Sequence, residues 1–332
     1  MNLTELLTTS IQHGASDLHI SAGLPPMIRV DGELRQLPFP PLSLEQAIIL
    51  FQNEMTPAQI ETFATNHEID FALQLADLAR VRINYFRQHR GVAGVLRIIP
   101  AQVLNLEQLS APKILQEVAM LSQGLVLVTG ATGSGKSTTL AALIDYINAR
   151  CAHHIITIED PIEFLHSNKL SLIHQREIQR DTISFANALR SALRADPDIL
   201  LIGELRDAET IRMALTAAET GHLVFATLHT NSAAKAIHRI IDVFPGDEKA
   251  MVCSLLAESL QAVICQQLFK KICGGRVAAF EIMLATPAIR NLIREDKIAQ
   301  MVSTMQTSAA LGMQTLDQQV RELVNKKIID VV

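Results

Sequence analysis

The chain has 332 residues, which suits two domains at roughly 150 residues each. With 48% hydrophobic and 19% charged residues, 12 Pro and 15 Gly, it is a packed protein, neither mostly disordered nor collagen-like. Its 29 Lys and Arg against 34 Asp and Glu leave a formal charge of −5, so no global positive field is available to hold nucleic acid.

No Lys or Arg precedes Arg29, so the beginning lacks the basic segment of a secretory signal, and no run of 18 apolar residues occurs. A cytoplasmic location is the expectation. Leu3, Leu6, Leu7 and Ile11 recur at helical spacing, whereas the apolar residues around Leu18, Ile20, Ile28 and Val30 alternate as in strands. Asp31-Gly32 supplies the two positive φ angles of a type I′ hairpin. Ser43 with Gln46, and Thr56-Pro57 with Gln59, read as helix-start boxes. The stretch from Glu68 to Ile99 alternates as antiparallel strands do. The first lysine is Lys113, close to Pro100 and Pro112, and this shift in composition marks a boundary. An α+β domain over residues 1–99, a linker over 100–112, an α/β core over 113–286 and a helical region over 287–332 follow. Within the core, the runs GLVLVTG, HIITIED, DILLIGE and HLVFATLHT read as strands of a largely parallel sheet, separated by amphipathic helices. Cys151, Cys253, Cys265 and Cys273 contain no CxxC pair, which argues against zinc and disulfides and predicts buried thiols.

Residues 130–137 read GATGSGKS, the pattern G-x-x-x-x-G-K-[ST], directly between a predicted strand and a predicted helix. The candidate nucleotide-binding residues are therefore Gly130, Ala131, Thr132, Gly133, Ser134, Gly135, Lys136, Ser137 and Thr138. Backbone N–H groups of such a loop face phosphate oxygens, Lys136 reaches the β and γ phosphates of ATP, and the Ser137 hydroxyl holds Mg²⁺. DILLIGE ends in Gly203-Glu204 at the strand edge where ligands of open α/β sheets bind. Glu204 acts there either on Mg²⁺ or on the attacking water, and the pattern leaves both roles open. Glu159, Asp160 and Glu163 add three carboxylates near the same edge, one of which would orient water. His222 and His229 fall on opposite faces of a strand, which disfavours a metal pair.

In this order and spacing, GATGSGKST, TIEDPIEF, ILLIGELRDAETI and TGHLVFATLHT resemble the secretion ATPase superfamily of type II secretion and type IV pili. ASDLHISAGLPPMIRVDG, RVRINYFRQHRG and AIRNLIRE at Ala288 to Glu295 are similar to its pilus-retraction branch. The resemblance implies a PAS-like N-terminal domain, a RecA-like P-loop ATPase domain and a homohexamer in which domains of neighbouring subunits pack together. It implies that Arg80, Arg82 and Arg97 complete the site and that His229 senses the γ-phosphate or couples it to the neighbouring subunit. It further implies a role in pilus retraction and twitching motility, exerted through an inner-membrane platform protein at the inner-membrane face, without nucleic acid. The alternatives are an assembly or accessory retraction ATPase, a RecA-like DNA motor and a non-hydrolysing nucleotide-bound scaffold.

Overall fold

The computed structural model describes residues 2–75, 79–100 and 102–330. They form two compact units, residues 1–102 with 163–165, and residues 103–162 with 166–332.

The first unit opens with helix α1 (Leu3–Gln12), which buries Leu3, Leu6 and Leu7 as its spacing predicts. Strands β1 (Asp17–Ser21), β2 (Met27–Val30) and β3 (Glu33–Gln36) follow, then α2 (Leu44–Gln52), α3 (Pro57–Asn66), β4 (Glu68–Leu75), β5 (Ala79–Gln88) and β6 (Gly91–Pro100). Asp31 and Gly32 join β2 to β3 with φ of 51° and 90°, as a type I′ turn requires. Ser43 and Thr56 start α2 and α3 with complete capping boxes. The antiparallel sheet runs β3-β2-β1-β6-β5-β4. Val81, Ile83 and Tyr85 alternate onto the core face of β5. Tyr85 lies stacked between Phe51 and Phe63, with ring centroids 4.2 Å away on each side.

The second unit contains α4 (Ile114–Ala119), β7 (Gly124–Thr129), α5 (Lys136–Asn148), β8 (His154–Glu159), β9 (Leu172–Glu177), α6 (Phe185–Ala192), β10 (Ile199–Ile202) and α7 (Ala208–Glu219). After these come β11 (Leu223–Leu228), α8 (Ala233–Asp242), α9 (Lys249–Ser259), β12 (Leu260–Lys270), β13 (Arg276–Leu284), α10 (Pro287–Arg294), α11 (Met301–Thr307) and α12 (Leu316–Asn325). Its sheet runs β13-β12-β7-β11-β10-β8-β9 and is parallel except for the β12–β13 hairpin. Leu125 and Leu127 point into one core with α7, α8 and α9, while Val126 and Val128 point into another with α5. Burial on both faces is why the central strands read as unbroken apolar runs.

The boundary falls between residues 102 and 103. Leu106, within the stretch expected to link the domains, is 1% exposed in the second unit's core. Three strands of this sheet, β9, β12 and β13, went unread in the sequence. β9 is a polar edge strand, and β12 continues straight from α9 without a Gly or Pro to punctuate it. Cys253 and Cys265 are buried as expected, but Cys151 is only half-buried and Cys273 is exposed because it lies in the turn between β12 and β13. No helix among the described residues is long and apolar enough to cross a membrane.

Candidate active site

Parallel pairing brings the C-terminal ends of β7, β11, β10 and β8 to one edge. Thr129 lies opposite Leu228, so Gly130 and His229 leave the sheet side by side. Ile202 lies between Ala226 and Ile158, which sets Glu204 beside them. Gly203 explains why the acid is preceded by glycine here. A Cβ on it would lie 3.1 Å from the Ile158 carbonyl oxygen and 3.3 Å from Glu159 Cα, so a larger residue would push β10 from β8. The Gly203 N–H donates to that same carbonyl at 2.7 Å.

Lys136, Glu204 and His229 meet at this edge. Lys136 Nζ donates to the carbonyls of Gly130 and Ala131 at 2.9 and 3.1 Å, and lies 3.5 Å from His229 Nδ1. His229 Nε2 lies 3.3 Å from Glu204 Oε1. An ammonium has only protons to offer, so Nδ1 is the acceptor and the imidazole proton sits on Nε2, facing the carboxylate. The other oxygen of Glu204 accepts from Arg206 Nε at 2.6 Å. Sequence reading missed Arg206, although it stands two residues after the acid. Thr227 was missed as well. Its hydroxyl donates to the Gly203 carbonyl and its own carbonyl accepts from Leu205 N–H, tying β11 to the loop that carries Glu204.

The loop fits a polyphosphate. Ser134 Oγ is buried within it and has no protein partner, a donor available to an anion. Gly135 caps α5 without any side-chain bond, which leaves the N–H groups of the first turn for a ligand. Among the described residues no group of three or more His, Cys, Asp and Glu could hold a metal alone. A Ser137 hydroxyl and a Glu204 carboxylate are nevertheless the hard oxygen donors with which Mg²⁺ is held when phosphate and water supply the other ligands.

The three acids of the acidic box separate. Glu159 accepts from Thr157 Oγ1 at 2.6 Å and from Gln175 Nε2 at 3.4 Å on the neighbouring β9. Asp160 precedes Pro161 through a cis peptide. Once the Ile162 N–H has bonded to the Glu177 carboxylate at 3.1 Å, residues 163–165 group with the first unit. His222 lies at the opposite end of β11 from His229, and its Nδ1 bonds the Ala217 carbonyl at 3.0 Å, which closes the end of α7.

Arg80, Arg82 and Arg97 all lie on the first unit's sheet. Arg80 is 6% exposed. Arg82 and Arg97 face each other across β5 and β6, and each holds a carboxylate of its own sheet: Asp70 at 2.7 Å and Asp17 at 3.1 Å. The half-exposed Arg82–Asp70 pair is worth about 1 kcal/mol or less, so that guanidinium can be drawn away at small cost, whereas Asp17 is 7% exposed and depends more on its bond to Arg97.

Residues 1–276 match the family model of the type II/IV secretion system protein. The "Type IV pilus retractation ATPase PilT" of Pseudomonas aeruginosa is 60% identical over 329 residues, covering 99% of this chain and 96% of that protein. The "Twitching motility protein" of Neisseria gonorrhoeae is 55% identical over 328 residues, covering 98% and 87%. Among solved structures, the crystal structure of the pilus retraction motor PilT with bound ADP superposes with a TM-score of 0.91 at 45% identity, covering 100% of this chain and 95% of that one.

Proposed function

Since the chain belongs to the type II/IV secretion system protein family, we propose that it is an ATP-hydrolysing motor that drives type IV pilus retraction and twitching motility. The observation that carries this reading is the convergence of Lys136, His229 and Glu204 at the C-terminal edge of a parallel sheet, where a P-loop opens α5. The names of relatives at 60% and 55% identity and the ADP-bound structural neighbour support it.

The first turn of α5 and the loop before it bind the phosphates through N–H groups and Lys136. Lys136 exchanges the carbonyls of Gly130 and Ala131 for phosphate oxygens, which better match an ammonium charge. Ser137 and Glu204 would hold Mg²⁺, which supplies charge neutralisation to the phosphates when bound. Glu204 carries a carboxylate able to take a proton from water, and His229, in contact with both Glu204 and Lys136, reports the state of one to the other. Arg82 and Arg97, with Arg80, act on the nucleotide of a neighbouring subunit, because charge spread over equatorial oxygens is stabilised by a planar guanidinium. The working assembly is a homohexamer at the cytoplasmic face of the inner membrane, bearing on a pilus platform protein.

Two measurements test this. The purified chain should hydrolyse ATP in Mg²⁺ and stop on chelation, with no dependence on DNA at low or high salt. Cells lacking it should carry excess pili and fail to twitch. Cells left without pili would make it an assembly motor, and activity that requires DNA would make it a nucleic-acid motor.

A further inference from the structure

Gln266 belongs to no motif, yet it touches the P-loop at both of its ends. It lies on β12 one position beyond Cys265, which pairs with Thr129 at the end of β7. The side chain is 4% exposed. Its Oε1 accepts from Thr139 Oγ1 at 2.7 Å, and Thr139 is itself 1% exposed in the first turns of α5. The amide nitrogen rests against Gly135, where a Cβ would lie 2.7 Å from Nε2. The main-chain oxygen of Gln266 rests against Gly130, where a Cβ would lie 2.4 Å from it.

A helix start is usually oriented by a side chain at its N-cap. Gly135 has none, and its φ of 91° lies in the left-handed region. Something else has to aim the turn that carries Lys136, Ser137 and Thr138, and the Thr139–Gln266 bond is the tertiary tether in place to do it. Cys265 extends the tether to the other side of the site. Its buried thiol, pushed up to about 11 by desolvation and so a neutral donor, bonds the carbonyl of Thr230 at 3.7 Å, next to His229.

We propose that Gln266 is a positioning residue for nucleotide binding, which aims the phosphate-binding turn of α5 by holding Gly135 and Thr139 against β12. The proposal rests on the ATPase reading above. If the P-loop is aimed from behind, removing the tether should weaken phosphate binding with little effect on turnover of what does bind.

The test compares Thr139→Val, Thr139→Ser and Gln266→Met in the full chain. Both the Kd of a fluorescent ADP analogue and steady-state ATPase are measured, with a melting curve for each variant. Thr139→Val and Gln266→Met should raise Kd and KM about tenfold, the scale of one buried hydrogen bond lost, and leave kcat within about threefold. Thr139→Ser keeps the hydroxyl and should restore both constants. The double variant should bind no worse than either single one, because both changes break the same bond. Unchanged Kd with a lowered melting temperature would overturn the proposal in favour of plain core packing, as would a serine variant as weak as the valine one. A wild-type chain that binds ADP and hydrolyses nothing would sink the ATPase reading and leave the Kd comparison to decide this one.

Discussion

The two sheets of this molecule put charge to different uses. The first unit's antiparallel sheet packs one face and leaves the other polar, and there Arg82 and Arg97 hold Asp70 and Asp17 as cross-strand neighbours do. The second unit's sheet is covered on both faces, so the central strands β7, β10 and β11 carry no charged side chain, and Lys136, His229 and Glu204 meet one another beyond the strand ends. A parallel sheet concentrates chemistry at one edge because every strand delivers its C-terminal loop there. An antiparallel sheet spreads its charges across a face, from which they serve whatever that face meets.

The largest expected effect breaks the edge itself. Lys136→Ala should remove the ammonium from ground and transition states alike and drop ATP hydrolysis by roughly 10³-fold or more, with nucleotide binding weakened as well. Glu204→Gln should slow turnover by about 10²-fold and spare binding. Radiolabelled ATP hydrolysis together with a binding titration separates the two. Normal turnover in the glutamine variant would move the water-positioning role to Glu159 or Glu163.

The polar face of the first sheet is tested by mixing subunits. Arg82→Ala alone should cost about 10³-fold in rate, the low end of the range for a guanidinium at a phosphoryl transition state. Assemblies mixed from Arg82→Ala and Lys136→Ala subunits should regain part of the activity wherever an intact arginine meets an intact loop. If verified mixed assemblies stay inactive, the arginines serve only their own sheet.

Helix α10 sharpens the contrast within the second unit. Ile289 and Ile293 are fully buried with Met301 and Met305, and Arg290 donates to the carbonyls of Ala257 and Glu258 at the end of α9. Ile293→Ala should therefore cost ~2–5 kcal/mol and lower melting temperature and ATPase together. Leu292 only leans on that core, so Leu292→Asn should cost about 1 kcal/mol, keep most ATPase and abolish twitching. Should motility survive in the Leu292 variant, the helix contributes packing alone.

The last effect spares activity at neutral pH and concerns acid stability. Burial lowers the His166 pKa to about 4, and its Nδ1 is buried without a partner. The unfolded chain takes up that proton below its ordinary value near 6.5 and the folded chain does not, so stability is full above pH 6.5 and falls as pH drops toward 4. The loss should reach roughly 2–3 kcal/mol at pH 4. His166→Gln should flatten that slope in melting temperatures measured from pH 7 to pH 4. A slope unaltered by the substitution would assign the acid sensitivity to other groups.

Much of this was legible locally. The P-loop string, the capping boxes at Ser43 and Thr56 and the Asp31-Gly32 turn are all decided by residues within a few positions of one another. The apolar runs of β7, β8, β10 and β11 announced a doubly covered parallel sheet for the same reason. β9 and β12 escaped because an edge strand needs no apolar alternation on its open side, and because a helix can pass into a strand with no breaker between them.

The amino-acid sequence by itself determined the phosphate loop, the apolar central strands of the second sheet and the acid that follows β10. These follow from backbone sterics and hydrophobic period, which act over short stretches of chain. Tertiary structure decided which side chains touch. Lys136 meets His229 across 93 positions and Thr139 meets Gln266 across 127, while Glu163, only four residues from Glu159, joins the other unit. Contacts of that kind depend on strand order and register. A sheet acquires those only when all its strands have packed, so no local window of the chain contains them.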